Sequence, residues 1–537
     1  VISWFDNIGA VGIIKDIPAH QLPAEAWSGG QNVRFVDGKV RKFAGHSRVF
    51  DSSTASPTIS IAPYYLQPVA TSTQYYWLYA GLSNVYATDG ATHTDISKVG
   101  GYSATANLSW NGGMLGGIAI VNNAKHGQNY PQQWGSSAGE PDPTVPLVDL
   151  SSWPANTYAT VIRPFRNFLV ALDITEGATR NRHQLMWSTP APPGTVPDSW
   201  DYTDPANRAG TVELKQTQGT LIDCLPMRDV NLIYKQDAVW SMQFIGGNEV
   251  FQFDEVFNTM GALSRNCVKN FYGKHFVLVQ DDIVVHDGQS HEPILNRRMR
   301  DWIFGQLDSI NYTNSFVAAN YPKNEMWCCI PTSGNEFPDL ALVWNWRENS
   351  TSVRDLPGPA MIGNGVVDPS GGIITYDADV GSFNSVVGSF DEQNYNPTLR
   401  KLLMAVPSQV RLHLLDNTTS FDGLNMTAYV EREAVPLGRV DKAGFQSPDL
   451  SVRKAVDAVY PTIDGTAGSS VDVYVGTQEA LGDAITWHGP HPFVIGTDTR
   501  IPVRVSGRII SIKFQTTGSN DWSLIRYGIE WRKDGER

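Results

Sequence analysis

His286, Asp287, His291 and Glu292 set two imidazoles and two carboxylates within a short span, the donor types of a zinc site or an acid–base pair. Asp287-Gly288 is a turn dipeptide and His291 lies in the segment after it, so the spacing reads as loop rather than ligand set. Asp254-Glu255 and Asp281-Asp282 are adjacent carboxylates that could share a proton in a cleft. Neighbours in a strand point to opposite faces, so neither pair is expected to converge. Asp377 and Asp379 would share a face if extended and could hold a cation, with solvated loop carboxylates as the plainer reading. Gly38-Lys39 lacks the glycine spacing and the hydroxyl residue of a phosphate-binding loop and reads as a hairpin turn. No HExxH, EF-hand loop or dinucleotide fingerprint occurs. These residues point to no catalytic centre, no metal and no cofactor.

The densest basic stretches are Arg163-Pro164-Phe165-Arg166, Arg180-Asn181-Arg182-His183 and Asn296-Arg297-Arg298-Met299-Arg300. Arginine with interleaved aromatics can stack single-stranded nucleic acid. Here the aromatics are not regularly interleaved, and protein interfaces also favour Arg, so Arg297, Arg298 and Arg300 are expected at an interface.

The elements that must carry these residues come from the whole chain. Its 537 residues correspond to roughly three to four domains at about 150 residues each. A net charge of -13 argues against a basic protein that grips duplex DNA. A hydrophobic share of 41% provides for folded cores, and 48 Gly with 32 Pro favour turns over long helices. The four cysteines form no CxxC pair and are expected as reduced thiols. No secretory leader or membrane-spanning run is read from the sequence.

Two markers repeat. Trp187, Trp240 and Trp344 follow aliphatic residues at steps of 53 and 104, and Trp134 lies a further 53 upstream. Strands ending in Asp-Gly recur at Asp89-Gly90 and Asp287-Gly288, with Asp37-Gly38 52 residues before the first. The beat is close to the length of a four-stranded propeller blade, roughly 40 to 50 residues. Between the markers lie short β-branched and aromatic runs, and Glu292 to Phe304 is one of few expected helices. The expected fold is all-β: an extended N-terminal arm and first strands over 1–50, a β-propeller of about six or seven blades over 51–400, and a C-terminal antiparallel β-sandwich or barrel over 401–537.

The stretch Asp16 to Gly45 carries a Pro-rich segment with Pro18, Leu22 and Pro23, then Trp27, then Asn32-Val33-Arg34-Phe35-Val36-Asp37-Gly38 and the basic-aromatic turn Lys42-Phe43-Ala44-Gly45. Near the other end stand Trp487-His488-Gly489-Pro490, Val505-Ser506-Gly507-Arg508, Trp522-Ser523-Leu524 and the closing Gly535-Glu536-Arg537. Together they resemble the tail-nozzle or tail-tubular proteins of short-tailed bacteriophages, akin to packaged-DNA stabilisation proteins. The resemblance implies a non-enzymatic virion tail protein, assembled in the bacterial host cytoplasm. It implies a hexameric ring at the distal end of the head-to-tail connector, with a channel for double-stranded DNA. The implied partners are other copies of the chain, the adaptor or portal ring and tail fibres, with no membrane insertion. Pro18, Leu22, Pro23, Trp27 and Arg34 are expected to join the Arg297 cluster in assembly. Asn32, Asp37, Gly38, Gly45, Trp187, Trp240, Trp344, Gly507 and Arg508 are expected to be structural. Removing residues 1 to 45 is expected to abolish attachment while leaving the propeller folded.

Two other classes fit the composition. A carbohydrate-binding or glycan-degrading propeller would need convergent carboxylates in a pocket. A receptor-binding or fibre-docking module would use exposed Tyr and Trp at blade rims.

Overall fold

A computed structural model describes residues 1–534 apart from 51–58, 60, 73, 91, 104–109, 124–128, 136–139, 248, 367–399 and 441–445. Asp377, Asp379 and Gly535-Glu536-Arg537 lie outside the described residues.

The chain is all-β, and its single described α-helix is the short Arg300–Gln306. Six four-stranded antiparallel runs follow one another in chain order over 65–95, 110–149, 157–213, 221–257, 268–293 and 316–355. A seventh sheet combines Met361–Val366, Arg400–Val406 and Arg411–Leu415 with His46–Val49 from near the N-terminus. The first strands of the seven sheets touch in cyclic order, and Met361–Val366 returns to Tyr65–Ala70, so the arrangement is a closed, propeller-like ring. The Trp77 indole N–H donates to the Val366 carbonyl at 2.7 Å across that seam. His46–Val49 completes the seventh sheet as its fourth strand, and its register runs from Leu412 against Val49 to Leu415 against His46.

Both sequence markers fall on third strands. Trp134, Trp187, Trp240 and Trp344 lie on the third strands of the second, third, fourth and sixth sheets, and the Asp89 and Asp287 turns follow those of the first and fifth. A buried indole needs a partner for its N–H. Trp187 donates to the Arg208 carbonyl at 3.1 Å, Trp240 to Thr217 Oγ1 at 3.0 Å and Trp344 to Asn349 Oδ1 at 3.0 Å. Each ties its strand to a neighbouring loop. The Asp37-Gly38 marker does not belong to the ring. It is a two-residue hairpin turn joining Val33–Val36 to Lys39–Lys42, with φ of 53° and 69°, the left-handed pair such a turn requires.

Two further sheets face each other. One orders Ile501–Gly507, Lys454–Gly465, Trp522–Lys533, Lys39–Lys42 and Val33–Val36, with Ile2–Phe5 also paired to Trp522–Lys533. The other orders Gly29–Gln31, Ala428–Arg432, Ile509–Thr516, Ser470–Gln478 and Thr486–Val494. Phe514 of one meets Tyr527 of the other at 5.6 Å between ring centroids, and Trp27 packs on both. Strand alternation supplies the inward face: Val471, Val473 and Val475 are buried while Ser470, Asp472 and Tyr474 are not.

The N-terminal residues therefore are not an extended arm. They provide four strands to the two facing sheets and the strand that closes the ring, while Gly12–Ile13 and Ala26–Trp27 extend the sixth sheet in parallel. The expected boundary at 400 falls inside the seventh sheet, whose last ring strand from this part of the chain ends at Leu415. The helix expected over Glu292 to Phe304 instead spans Arg300–Gln306, because His291–Pro293 pairs as an edge strand with Ile283–His286. Gly45 occupies a contact that admits no side chain, since a Cβ there would lie 1.8 Å from the Ser420 carbonyl oxygen.

Candidate functional site

The residues expected at an interface divide into two groups. Leu22 and Trp27 are buried, and the Trp27 indole donates to the Ile8 carbonyl at 2.6 Å. Arg34, 8% exposed, is enclosed as well. These three are core residues in the folded chain, enclosed and not presented at an intermolecular surface. Leu22 packs on Ile14 and Ala26 while its carbonyl accepts from Arg432, and Trp27 and Arg34 reach the facing sheets and the ring.

Arg34 enters a buried quartet. Its Nη2 lies 2.8 Å from Asp416 Oδ2, and its Nε lies 3.1 Å from Glu325 Oε1, within ion-pair range but not aligned for a hydrogen bond. Arg354 Nη1 reaches Asp416 Oδ1 at 2.9 Å. Phe43 lies 4.4 Å from the Arg34 guanidinium carbon, and Trp327 lies 4.7 Å from that of Arg354. Two cations and two anions balance, welding a strand of the facing sheets to the sixth and seventh ring sheets. Burial alone would raise the Asp416 carboxyl, but Arg34 and Arg354 hold it below the usual carboxylate range. For Glu325 burial prevails and its carboxyl is pushed up. Asn32, with φ of 56°, reinforces the weld: its amide donates to Asp355 Oδ2 and the Thr427 carbonyl, each at 2.8 Å. Gly507 ends Ile501–Gly507, and exposed Arg508 follows with its Nε 3.8 Å from Glu479.

The second group is at the surface. Pro18, Gln21, Asn296, Arg297, Arg300 and Asp301 line a groove of about 230 Å³ together with Asp16 and Ile17. Backbone geometry builds it. The Lys15 and Asp16 N–H groups donate to the Arg298 carbonyl at 2.6 and 3.0 Å, and the Asp16 carboxylate receives the Asp301 and Trp302 N–H groups at 3.0 and 3.2 Å. Arg298 is spent on the Asn349 carbonyl at 2.6 Å, and Arg300 on Asp281 Oδ2 at 2.7 Å. Arg297 is exposed and makes no ion pair with a described residue. Pro23 is exposed too. Sequence reasoning thus named Pro18, Arg297 and Arg300, and the fold brings them together across a long separation.

Asp281 and Asp282 do converge, contrary to the strand rule, because they occupy a turn: Arg300 lies 2.7 Å from one and 3.5 Å from the other. Asp254 and Glu255 are both exposed on Phe251–Phe257. Nearby hairpins carry an aromatic patch in which Tyr272, 79% exposed, and Tyr321 flank Trp346 at 6.1 and 6.3 Å. No local signal announced it.

His286 and Asp287 form no metal site, and among the described residues no group of three His, Cys, Asp or Glu side chains could hold an ion. His286 instead joins a buried chain. The His275 Nε2–H donates to the Pro226 carbonyl at 3.1 Å, leaving Nδ1 to accept from the Tyr234 hydroxyl at 2.6 Å. The Tyr234 oxygen then accepts from His286 Nε2 at 2.7 Å, and His286 Nδ1 accepts the Gly288 N–H at 3.3 Å. Burial lowers His275 to about 4 and His286 to about 3. Both imidazoles are neutral when folded, whereas the unfolded groups charge near about pH 6.5. Their contribution is present above that value and is lost as pH falls from about 6.5 towards 4. Denaturant titration is therefore expected to give lower stability at about pH 5 than at about pH 7.5. Tyr234→Phe, which leaves one nitrogen of each imidazole without its partner, should cost about 1–3 kcal/mol at the higher pH. A variant as stable as the parent would refute this network.

No family profile matches the chain, and no curated protein matches it. Among solved structures, a chain in the Saccharomyces cerevisiae assembly of a Dbp5 variant with Nup159, a Gle1 variant, IP6 and ADP matches 70% of this chain and 94% of its own length. Its identity is 10% and its TM-score 0.35. An exo-beta-1,3-galactanase from Phanerochaete chrysosporium with galactose matches 91% of this chain and 100% of its own, at 8% identity and a TM-score of 0.25. Superpositions this loose carry no argument. Among the described residues no helix is long and apolar enough to cross a membrane.

Proposed function

We propose that the chain is a structural tail protein of a short-tailed bacteriophage, a seven-bladed β-propeller joined to a β-sandwich. In this reading it assembles in the host cytoplasm as a hexameric ring, the distal nozzle of the head-to-tail connector, retaining packaged double-stranded DNA and conducting it during ejection. One observation carries the reading. The two stretches that resemble tail-nozzle proteins lie at opposite ends of the chain yet build one module: Arg41 pairs with Ser523 and Val40 with Leu524, while Trp487 to Pro490 runs along an edge strand of the facing sheet. A family resemblance split between termini is coherent when those termini fold as a unit.

The net charge supports the same reading, because an acidic wall repels phosphate and a conduit must not grip its cargo. In this reading the conduit runs between copies and not along the axis of one propeller; Arg163 on the first strand of the third sheet bonds Gly112 of the second sheet, Asp223 of the fourth and Asn266 just ahead of the fifth. The Pro18–Arg297–Arg300 groove receives the adaptor ring through acidic side chains, and the Tyr272–Tyr321–Trp346 patch receives tail fibres. This role calls for no catalytic step and no cofactor.

Co-sedimentation with purified connector and fibre components tests the assignment. Arg297→Glu should weaken adaptor binding roughly tenfold or more with fibre binding intact, and Tyr272→Ala should do the reverse. Adaptor binding by Arg297→Glu equal to the parent's would overturn the groove's role.

A further inference from the structure

Beside the seventh sheet two clefts adjoin. One, of about 520 Å³, lies among His46 and Arg48 of His46–Val49, Gln409 and Arg411, and the loops that carry Asp355 and Asp422. The other, of about 440 Å³, holds the aromatic pair Tyr64 and Phe337, whose ring centroids stand 6.0 Å apart at 51°, with Ser408, Glu336 and Asp339. Leu356 and Pro357 line both, so the two form one groove. Each is of the size that takes a small ligand, roughly 300–1,000 Å³.

His46 is the anomaly of this groove. It is 3% exposed, yet neither ring nitrogen bonds a described residue: Nδ1 is enclosed without a partner, and Nε2 is not enclosed. The ring stacks on Phe421 at 4.9 Å and meets His413 edge-on at 5.1 Å. A buried polar group left unbonded costs stability until a partner completes it. Burial, reinforced by Arg354, lowers the imidazole to about 3, so the folded ring is neutral and offers one donor and one acceptor. The charges around it are already engaged. Arg48 donates Nε and Nη2 to Asp422 Oδ2 at 3.1 and 2.9 Å, and Asp355 receives the Gln31 and Asn32 amides. Gln409 Oε1 bonds His413 Nε2 at 2.8 Å, which leaves the Gln409 amide N–H groups without a partner among the described residues.

We infer that the groove binds a neutral oligosaccharide, with one sugar unit beside His46 and Gln409 and the next against Tyr64 and Phe337. A sugar hydroxyl both donates and accepts, which matches a neutral imidazole, an open amide and carboxylates set among guanidiniums. Tyr64 and Phe337 give the C–H face of a pyranose ring an aromatic surface to lie on. Charge disfavours an acidic ligand, because the first cleft sets two guanidiniums against two carboxylates and the second adds Glu336 and Asp339 with no cation. A peptide added as a strand finds no open edge at His46. Its N–H donates to the Ser420 carbonyl at 3.0 Å, and its carbonyl accepts the Asp422 N–H at 2.7 Å. The groove binds its ligand without chemical change, and the inference stands independently of the tail assignment.

The test is to probe arrays of immobilised neutral glycans, acidic glycans and peptides with the full chain. Neutral glycans should be retained, and a soluble tetrasaccharide of the retained type should compete better than its monosaccharide unit. Tyr64→Ala removes a stacking ring and Ser408→Trp fills the groove from an exposed position, so each should weaken binding about tenfold or more. His46→Phe keeps a ring against Phe421 and removes the unbonded nitrogens. It should lose binding by a similar factor while unfolding at a temperature no lower than the parent's. Should that variant fail to fold, Tyr64→Ala and Ser408→Trp decide the matter. Retention of no neutral glycan, retention of acidic glycans or peptides alone, or folded variants that bind as the parent does would overturn the inference. Competition by the monosaccharide equal to that of the tetrasaccharide would overturn a ligand spanning both clefts.

Discussion

Replacing Asp416 by alanine is expected to destabilise the protein by about 3–5 kcal/mol, as read from urea unfolding near neutral pH. The size follows from what is left behind. Arg34 and Arg354 share this carboxylate at 2.8 and 2.9 Å, both are buried, and only Glu325 would remain to face two guanidiniums. A buried charge deprived of its partner costs far more than the pair contributes net. The pH dependence has a definite sign. Asp416 is held below the usual carboxylate range when folded, so its contribution is present above the unfolded value of about 3.9 and is lost as pH falls through the folded one. The acid limb of the parent's stability profile should therefore be steeper than that of the alanine variant. A cost under about 1 kcal/mol would mean that the quartet is solvated and not a weld.

Removing residues 1–49 is expected to abolish folding, not merely attachment. The deletion takes Ile2–Phe5, Gly29–Gln31, Val33–Val36 and Lys39–Lys42 from the two facing sheets and His46–Val49 from the ring. The sheets would lose both paired edges and inward side chains, Val33, Phe35 and Val40 among them. Size-exclusion chromatography should show aggregate, and circular dichroism should show no cooperative transition. Adding the 1–49 segment in trans during refolding should recover soluble protein by strand complementation. A monodisperse, cooperatively unfolding 50–537 fragment would show that the ring closes without its borrowed strand.

These two predictions rest on what the sequence conceals. Trp187, Trp240 and Trp344 exposed the repeat because each does the same local job, an indole on an aliphatic third strand that ties down a neighbouring loop. Asp89 and Asp287 exposed it because a turn dipeptide follows the same strand. Asp37-Gly38 mimicked that beat, since any tight hairpin uses the same residues. The closing strand had no such signature. His46–Val49 is short and mixed in character, and its partner, Arg411–Leu415, lies near the other end of the ring. The site divides along the same line. Arg297 and Arg300 stand in an evident basic cluster, and exposure leaves Arg297 open to a partner. Arg34 lies in an equally basic stretch, but Glu325 and Asp416, supplied from far along the chain, draw it inside.

Electron microscopy of the purified protein, alone and mixed with connector components, combined with mass measurement of the same particles, tests the central claim most directly. The account predicts hexameric rings, free or capping the connector, with an axial hole between subunits and the propeller of each copy closed at its own axis. Monomers that ignore the connector would contradict it.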